Sequence, residues 1–323
     1  MADLVVYPLL FTTRVVTPLE VDNHCGSALR GNMFEAIWRR FCDNKASPTC
    51  ADCPLHTMCP VSTLVAPLRE DNLRGRDIPR PYIVLPPLGG ARRYEPGEQF
   101  VFGLTLFGNI VQFLPYIILS ISALEAVGLG RKLKENQGRR GQFSVQHIES
   151  YHPISGERQV LYQKVQPLVK ASTLAITSED IQKKAATLST ERVTLNFLTP
   201  TRLIDQEHLV HRANFRVLLY RLMQRLHTLA DLYGEDERQI VPEERDYLKL
   251  TEQVQCIDDS TRWEDLGSYS HRQYRTTPIG GLVGKATFVG ELAPFRELLT
   301  WGELIHIGKN CVKGNGWYMI EAS

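Results

Sequence analysis

Four of the seven cysteines in this 323-residue chain fall in one short run, Cys42-x7-Cys50-x2-Cys53-x5-Cys59. Zinc favours thiolate ligands, and a Cys-x2-Cys pair supplies two corners of a tetrahedron from one tight turn. Pro48, Pro54 and Pro60 keep the run open. An excursion this small has little core of its own, and a metal is a natural way to fix it. The spacing predicts a structural Zn2+ held by Cys42, Cys50, Cys53 and Cys59, with no open position for catalysis. Three other readings stand beside it: His56 in place of one thiol, an iron–sulfur cluster, and four reduced surface cysteines without metal.

Glycine gathers at the C-terminal end. The chain runs Gly280-Gly281-Leu-Val-Gly284-Lys285-Ala-Thr-Phe288-Val-Gly290, then Leu298-Leu299-Thr-Trp-Gly302-Glu-Leu-Ile-His306-Ile-Gly308-Lys309, then Gly314-Asn-Gly316-Trp317-Tyr318. Glycines let a backbone take positive φ and approach a ligand closely. Successive exposed amides in such a loop cradle a phosphate, and Lys309 and Lys313 add charge. The alternative is a set of tight connections with no ligand.

Histidine is the side chain suited to moving protons near neutral pH. Of the nine, His24 sits just before the first helical stretch with Arg30 on its opening turn, and His306 lies in the glycine-rich segment, in a position to support its loop. His147 and His152 flank Tyr151, itself able to donate or orient a proton, although such a trio also suits a half-buried sheet edge. Among cations, Gly128–Gln142 carries Arg131, Lys132, Lys134, Arg139 and Arg140 against the single acid Glu135, among four glycines. It reads as a flexible basic loop suited to a phosphate backbone, or as a solvated loop. Arg221 and Arg225 share one side of a long helix, and Arg272 and Arg275 alternate with Tyr269 and Tyr274, a pattern that offers charge with stacking.

These residues need a scaffold, and the length allows two ordinary domains. Leu4–Pro18 reads as a strand, and Ser27–Phe41 as a helix, with Leu29, Met33, Ile37 and Phe41 recurring every fourth residue and Asp22, Asn23 or Ser27 as its cap. Tyr82–Leu85 and Gln99–Leu106 read as strands, Asn109–Val127 as a helix, Gln142–Tyr151 and Val160–Val165 as strands. The second half repeats the order: strand Arg192–Leu198, helix Ala213–Tyr233, a helical stretch near Pro242–Val254, strands near Cys256–Trp263 and Leu282–Leu292, helix Phe295–Trp301, strands Leu304–Ile307 and Trp317–Ile320. The expectation is an α+β protein of two tandem ferredoxin-like domains, 1–175 and 176–323, with a small zinc-binding insertion at 42–60 in the first. The net charge of +1 gives no basic average, so any polyanion must meet a local patch. Val111–Val127, interrupted by Gln112, Pro115 and Glu125, is too short for a membrane helix, and no secretory leader is legible in Leu4–Phe11. The cytoplasm is the default location.

The stretch from Gly280 to Tyr318 resembles the C-terminal signature of the CRISPR RNA-processing endoribonucleases of the RAMP superfamily. Its glycine-flanked strand, its leucine pair before a glycine, its His306-Ile-Gly308-Lys309 run and its closing Gly314-x-Gly316-aromatic carry the likeness. Gly26-Ser-Ala-Leu-Arg30-Gly31 followed by the four cysteines resembles a variant of that family. The resemblance implies paired ferredoxin-like domains, a glycine-rich loop facing RNA, and cleavage of repeat RNA into guide RNA. Such cleavage uses the substrate's 2′-hydroxyl, a general base, an acid and a cation, without catalytic metal. His24, Arg30 and Tyr151 are then the catalytic candidates. Arg131, Lys132, Lys134, Arg139, Arg140, Lys285, His306, Gly308, Lys309, Lys313, Gly314 and Gly316 are the candidates for RNA binding. Expected partners are repeat RNA, guide RNA and other CRISPR proteins. A subunit of the same fold that holds guide RNA without cutting it is the second reading, and a zinc enzyme using the cysteine run a third.

Overall fold

The computed structural model describes residues 4–68, 78–165, 169–234, 244–270 and 275–321. They fall into two compact units: residues 7–175, and residues 176–321 together with Leu4–Val6. The first residues join the second unit because Val6 and Ile176 exchange backbone hydrogen bonds (3.1 and 2.9 Å). The whole is a mixture of helix and strand, as the periodicities require.

Within residues 7–175 the order is β1 (Val6–Val15), β2 (Leu19–Val21), α1 (Gly26–Phe41), α2 (Pro60–Val65), β3 (Tyr82–Leu85), β4 (Arg92–Tyr94) and β5 (Gln99–Phe107). Then come α3 (Leu114–Leu119), α4 (Ile121–Val127), β6 (Leu129–Leu133), β7 (Arg139–Gly141), β8 (Phe143–Tyr151) and β9 (Arg158–Gln163). The sheet runs β3-β5-β1-β8-β9. Alternating burial along β1 points Leu9 and Phe11 into the core, where Phe11 stacks on Phe102 at 4.7 Å. Against that face α1 buries Leu29, Met33, Ala36 and Ile37. Its cap is Cys25, with no side-chain hydrogen bond, rather than Asp22, Asn23 or Ser27. The single helix expected over 109–127 is a 3-10 turn followed by two short α-helices, with a bend of 59° between the segments. Ser120 marks the break, its hydroxyl donating to the Ile117 carbonyl (2.8 Å) in competition with the helical ladder. Among the described residues no single helix is long and apolar enough to cross a membrane.

The second unit holds α5 (Ser178–Ala186), β10 (Arg192–Thr201), β11 (Ile204–Asp205), β12 (His208–Leu209), α6 (Phe215–Tyr233) and α7 (Glu244–Lys249). It continues with β13 (Gln255–Asp259), β14 (Arg262–Glu264), β15 (Gly267–Ser270), β16 (Arg275–Pro278), β17 (Gly281–Val289), α8 (Arg296–Ile305) and β18 (Tyr318–Glu321). Its sheet runs β13-β17-β10-β18, with β14 also on β17. Asn214 caps α6 by accepting from Val217 N (3.0 Å), and the helix buries the stripe Leu218, Leu222, Leu226 and Leu229. Of the strand expected at Leu304–Ile307, Leu304 and Ile305 instead end α8, and His306 and Ile307 lead on from it. Ile305 closes a helix stripe with Leu298, Leu299 and Trp301. In both units the strands of a strand–helix–strand–strand–helix–strand series lie side by side in the order second, third, first, fourth.

Candidate nucleic-acid interface

His24 lies where the chain leaves β2 for α1. β2 pairs antiparallel with β4, and Asn23 Oδ1 accepts from Ala91 N (3.0 Å), which fixes the turn that carries the histidine. Cys25 beside it is buried, and burial pushes its thiol up to about 12. It is therefore no nucleophile at neutral pH. Arg30 is half-buried, with its guanidinium 5.9 Å from the centre of the Phe34 ring. Burial raises the Tyr82 phenol, and the charges of Arg30 and Arg80 partly offset that rise.

The basic segment after α4 is a hairpin, not a flexible loop: β6 and β7 pair through Lys132↔Arg140 and Leu133↔Arg139. Its cations divide into two groups. Arg131 is bound to Asp22 (2.6 Å) and Glu20 (3.2 Å), beside His24 in sequence. Arg140 donates to Asn32 Oδ1 (2.7 Å), and the buried Asn32 donates in turn to the Gly128 carbonyl. Those two arginines hold the hairpin against β2 and α1. Lys132, Lys134 and Arg139 are exposed. Gly130 has φ +80°, and a Cβ there would lie 2.0 Å from the Glu20 carbonyl oxygen, so this glycine permits close approach rather than looseness. Asn32 was not singled out from sequence. The available signal was a polar residue on the buried side of α1, between Leu29 and Met33.

Tyr151 does not join His24. β1 and β8 pair antiparallel from Val15↔Phe143 to Leu9↔Ser150. The chain passes from Val15 to His24 at the Phe143 end, while Tyr151 closes the other end of β8, roughly 26 Å away along the strand. There its ring lies under the Arg158 guanidinium at 4.9 Å. His152 is 6% exposed and accepts from Ser155 N (3.1 Å), a turn-forming role.

The glycine-rich segment is wound on itself. His306 is 0% exposed, stands at φ 58° where α8 ends, bonds the Asn315 carbonyl through Nδ1 (3.1 Å) and stacks on Trp317 at 5.7 Å. The amides of Ile307, Lys309, Lys313, Gly314 and Gly316 all bond carbonyls of the loop or of residues 200–202, and Trp317 N bonds Thr199 Oγ1 (2.9 Å). Those amides are not a phosphate cradle. Gly316 has φ +73° and no room for a side chain, since a Cβ would lie 1.8 Å from the Ile307 carbonyl oxygen. A Cβ on Gly302 would lie 2.0 Å from the Tyr318 hydroxyl, which donates to Leu299 O (2.7 Å). Buried His306, Gly314 and Gly316 thus shape the loop. Gly308 (φ +86°) packs on Arg202, Lys309 is exposed, and Lys313 reaches Ser268 Oγ (3.4 Å). Lys285 pairs with Glu321 (2.6 Å).

The helix arginines are structural. Arg221 donates to the Ile204 carbonyl (2.7 Å) and Arg225 to that of Ile305 (2.6 Å), where α8 leaves its last carbonyls open. Arg272 and Tyr274 lie outside the described residues. The four cysteines of the 42–59 run form no disulfide and are half-buried, and among the described residues no three His, Cys, Asp or Glu side chains are grouped so as to hold a metal ion. Cys50 and Cys53 share a turn, through Cys53 N to Cys50 O (3.3 Å), but the Cys53 thiol accepts from Asn44 Nδ2 (3.5 Å).

Comparison with known proteins adds an independent line. Residues 195–318 match the family model of the CRISPR-associated endoribonuclease Cas6, and residues 4–174 match that of the AF_1859_N N-terminal domain. An uncharacterized protein of Archaeoglobus fulgidus is 24% identical over 303 residues, covering 92% of this chain and 91% of its own. Among solved structures, the fold is similar to Thermus thermophilus Cas6 (TM-score 0.54, 13% identity, 99% of this chain and 100% of that one). It is also similar to part of a Cas6-RT-Cas1–Cas2 complex (TM-score 0.60, 12% identity), where this chain is covered fully but spans only 47% of the matched chain. An AF_1859_N domain over more than half of the chain, a Cas6 endoribonuclease match over residues 195–318 and a Cas6-like fold throughout lead to one assignment: the chain belongs to the family of the AF_1859_N N-terminal domain, with a C-terminal part similar to the CRISPR-associated endoribonuclease Cas6.

Proposed function

We propose that this protein binds CRISPR repeat RNA and cuts it at one site to release guide RNA. The 2′-hydroxyl at the scissile nucleotide attacks the adjacent phosphorus, and the 5′-oxygen of the next nucleotide leaves with a proton. The products carry a 2′,3′-cyclic phosphate and a 5′-hydroxyl, and no metal takes part. The observation that carries the reading is the Cas6 endoribonuclease match over residues 195–318. In it, His24 is the general base and Arg30 stabilises charge on the phosphate. The shared strand order of the two units supports reading both as ferredoxin-like domains. Exposed Lys132, Lys134 and Arg139 on the hairpin, with Lys309 on the glycine loop, supply phosphate contacts. The Cas6-RT-Cas1–Cas2 neighbour supports other CRISPR proteins as further partners.

A second reading is a subunit that holds guide RNA without cutting it. It is favoured by the position of Tyr151, at the end of β8 opposite the one from which the chain runs on to His24. Incubating the purified protein with labelled host repeat RNA in EDTA separates the two. One cut, abolished by a 2′-deoxy at the scissile position, establishes the nuclease. Tight binding with intact RNA establishes the non-cutting subunit.

A further inference from the structure

Trp263 stands on β14, opposite Leu282 of β17 and next to the glycine pair that opens that strand. The His211 ring lies 4.3 Å from it at an interplanar angle of 45°, and the Arg202 guanidinium lies 5.7 Å from its ring centre. Its indole N–H donates to Asp265 Oδ1 (2.9 Å), so the ring is held by its edge while the side chain stays only half-buried; His211 is exposed. An indole, an imidazole and a guanidinium gathered at a surface give flat, polarisable faces beside positive charge. Unpaired nucleobases are held on such faces.

The cluster is wired to the glycine loop through Arg202. Its guanidinium donates to the Gly280 carbonyl (3.2 Å), and its own carbonyl accepts from Lys309 N (3.0 Å). Gly308 closes on the same carbonyl, where a Cβ would lie 2.4 Å away. Arg202 therefore links the two, its guanidinium beside the Trp263 ring and its carbonyl on the amide of the exposed Lys309. A base stacked on the cluster would have its phosphate within the field of Lys309.

We propose that His211, Trp263 and Arg202 form a stacking platform for one unpaired base of the bound RNA, beside Lys309 as a phosphate contact. The inference rests on the RNA-binding function proposed above and adds where, and by what contact, one nucleotide is held. The test is the affinity of fluorescein-labelled host repeat RNA for wild type, Trp263→Ala and Trp263→Phe, together with a scan of single abasic positions along that RNA. Trp263→Ala is expected to bind about tenfold more weakly, a loss of ~1.4 kcal/mol, and Trp263→Phe to stay within about twofold of wild type. One abasic position should cost wild type the same factor and cost Trp263→Ala nothing further. Matching urea midpoints for the variants show that the loss is not unfolding. If wild type binds RNA and Trp263→Ala binds equally well, or every abasic position costs both proteins alike, the platform is wrong while the RNA function stands. If wild type binds no repeat RNA, both fall together.

Discussion

At the scale of single residues, the turn before α1 and the far end of β8 make opposite demands on mutagenesis. His24→Ala should lower the cleavage rate at least about a hundredfold, the lower end of what a positioned acid or base contributes. RNA binding should stay within about twofold. Tyr151→Phe should leave the rate unchanged, because the β1–β8 register puts that ring at the other end of the sheet. Single-turnover kinetics on labelled repeat RNA measures both, and a Tyr151→Phe defect matching that of His24→Ala would overturn the geometry. The glycine loop gives a different residue-scale outcome. At Gly316 a methyl group meets the Ile307 carbonyl at a positive φ. Gly316→Ala should therefore cost about 3 kcal/mol or more in urea unfolding, adding backbone strain to overpacking. A loop that only cradles phosphate would lose affinity with its stability intact.

Elements explain which parts of this arrangement could be read from sequence. Helix α6 was legible because Leu218, Leu222, Leu226 and Leu229 repeat at helical spacing and the helix buries that side. The 129–141 hairpin was not, because Gly128 and Gly130 suggest looseness. Their actual use depends on residues about a hundred positions away: Asn32 for Arg140, and Glu20 for Gly130. Periodicity carries no record of such partners. The apolar run 304–307 was misread for a related reason, since a short apolar run fits a strand or a buried helix end equally. The hairpin yields the prediction proper to this scale. Lys132, Lys134 and Arg139 are exposed, whereas Arg131 and Arg140 are bound to the fold. Replacing the exposed three by Gln should reduce the log–log salt slope of RNA binding by about 2, at ~0.7 per single-strand phosphate contact, with no change in fold stability. Arg140→Gln should instead loosen the hairpin and lower stability. Equal salt slopes for wild type and the triple variant would remove this hairpin from the interface.

Across the whole molecule, the two units carry separate sets of buried weak acids. Residues 7–175 contain Cys25 and Tyr82, and residues 176–321 contain Cys311 and Tyr318, all raised by burial. A group whose folded pKa lies above its unfolded value keeps its proton in the native state after the unfolded chain has released it. Stability is then intact below the unfolded value and falls as pH rises toward the folded one. For Cys25 the window runs from its ordinary 9.0 to about 12. At pH 10 that thiol alone should cost the fold about 1.4 kcal/mol relative to pH 7. The tyrosines extend the loss upward from their ordinary value of 10.0. Because each unit has its own set, both should weaken, and a shift confined to one transition would contradict the burial of the other pair. Urea unfolding at pH 7 and pH 10, followed by circular dichroism, measures the midpoints. Cys25→Ala should remove that residue's share of the alkaline loss, whatever the packing change costs at pH 7. An unchanged midpoint for wild type at pH 10 would mean that these side chains are reached by water in the native state.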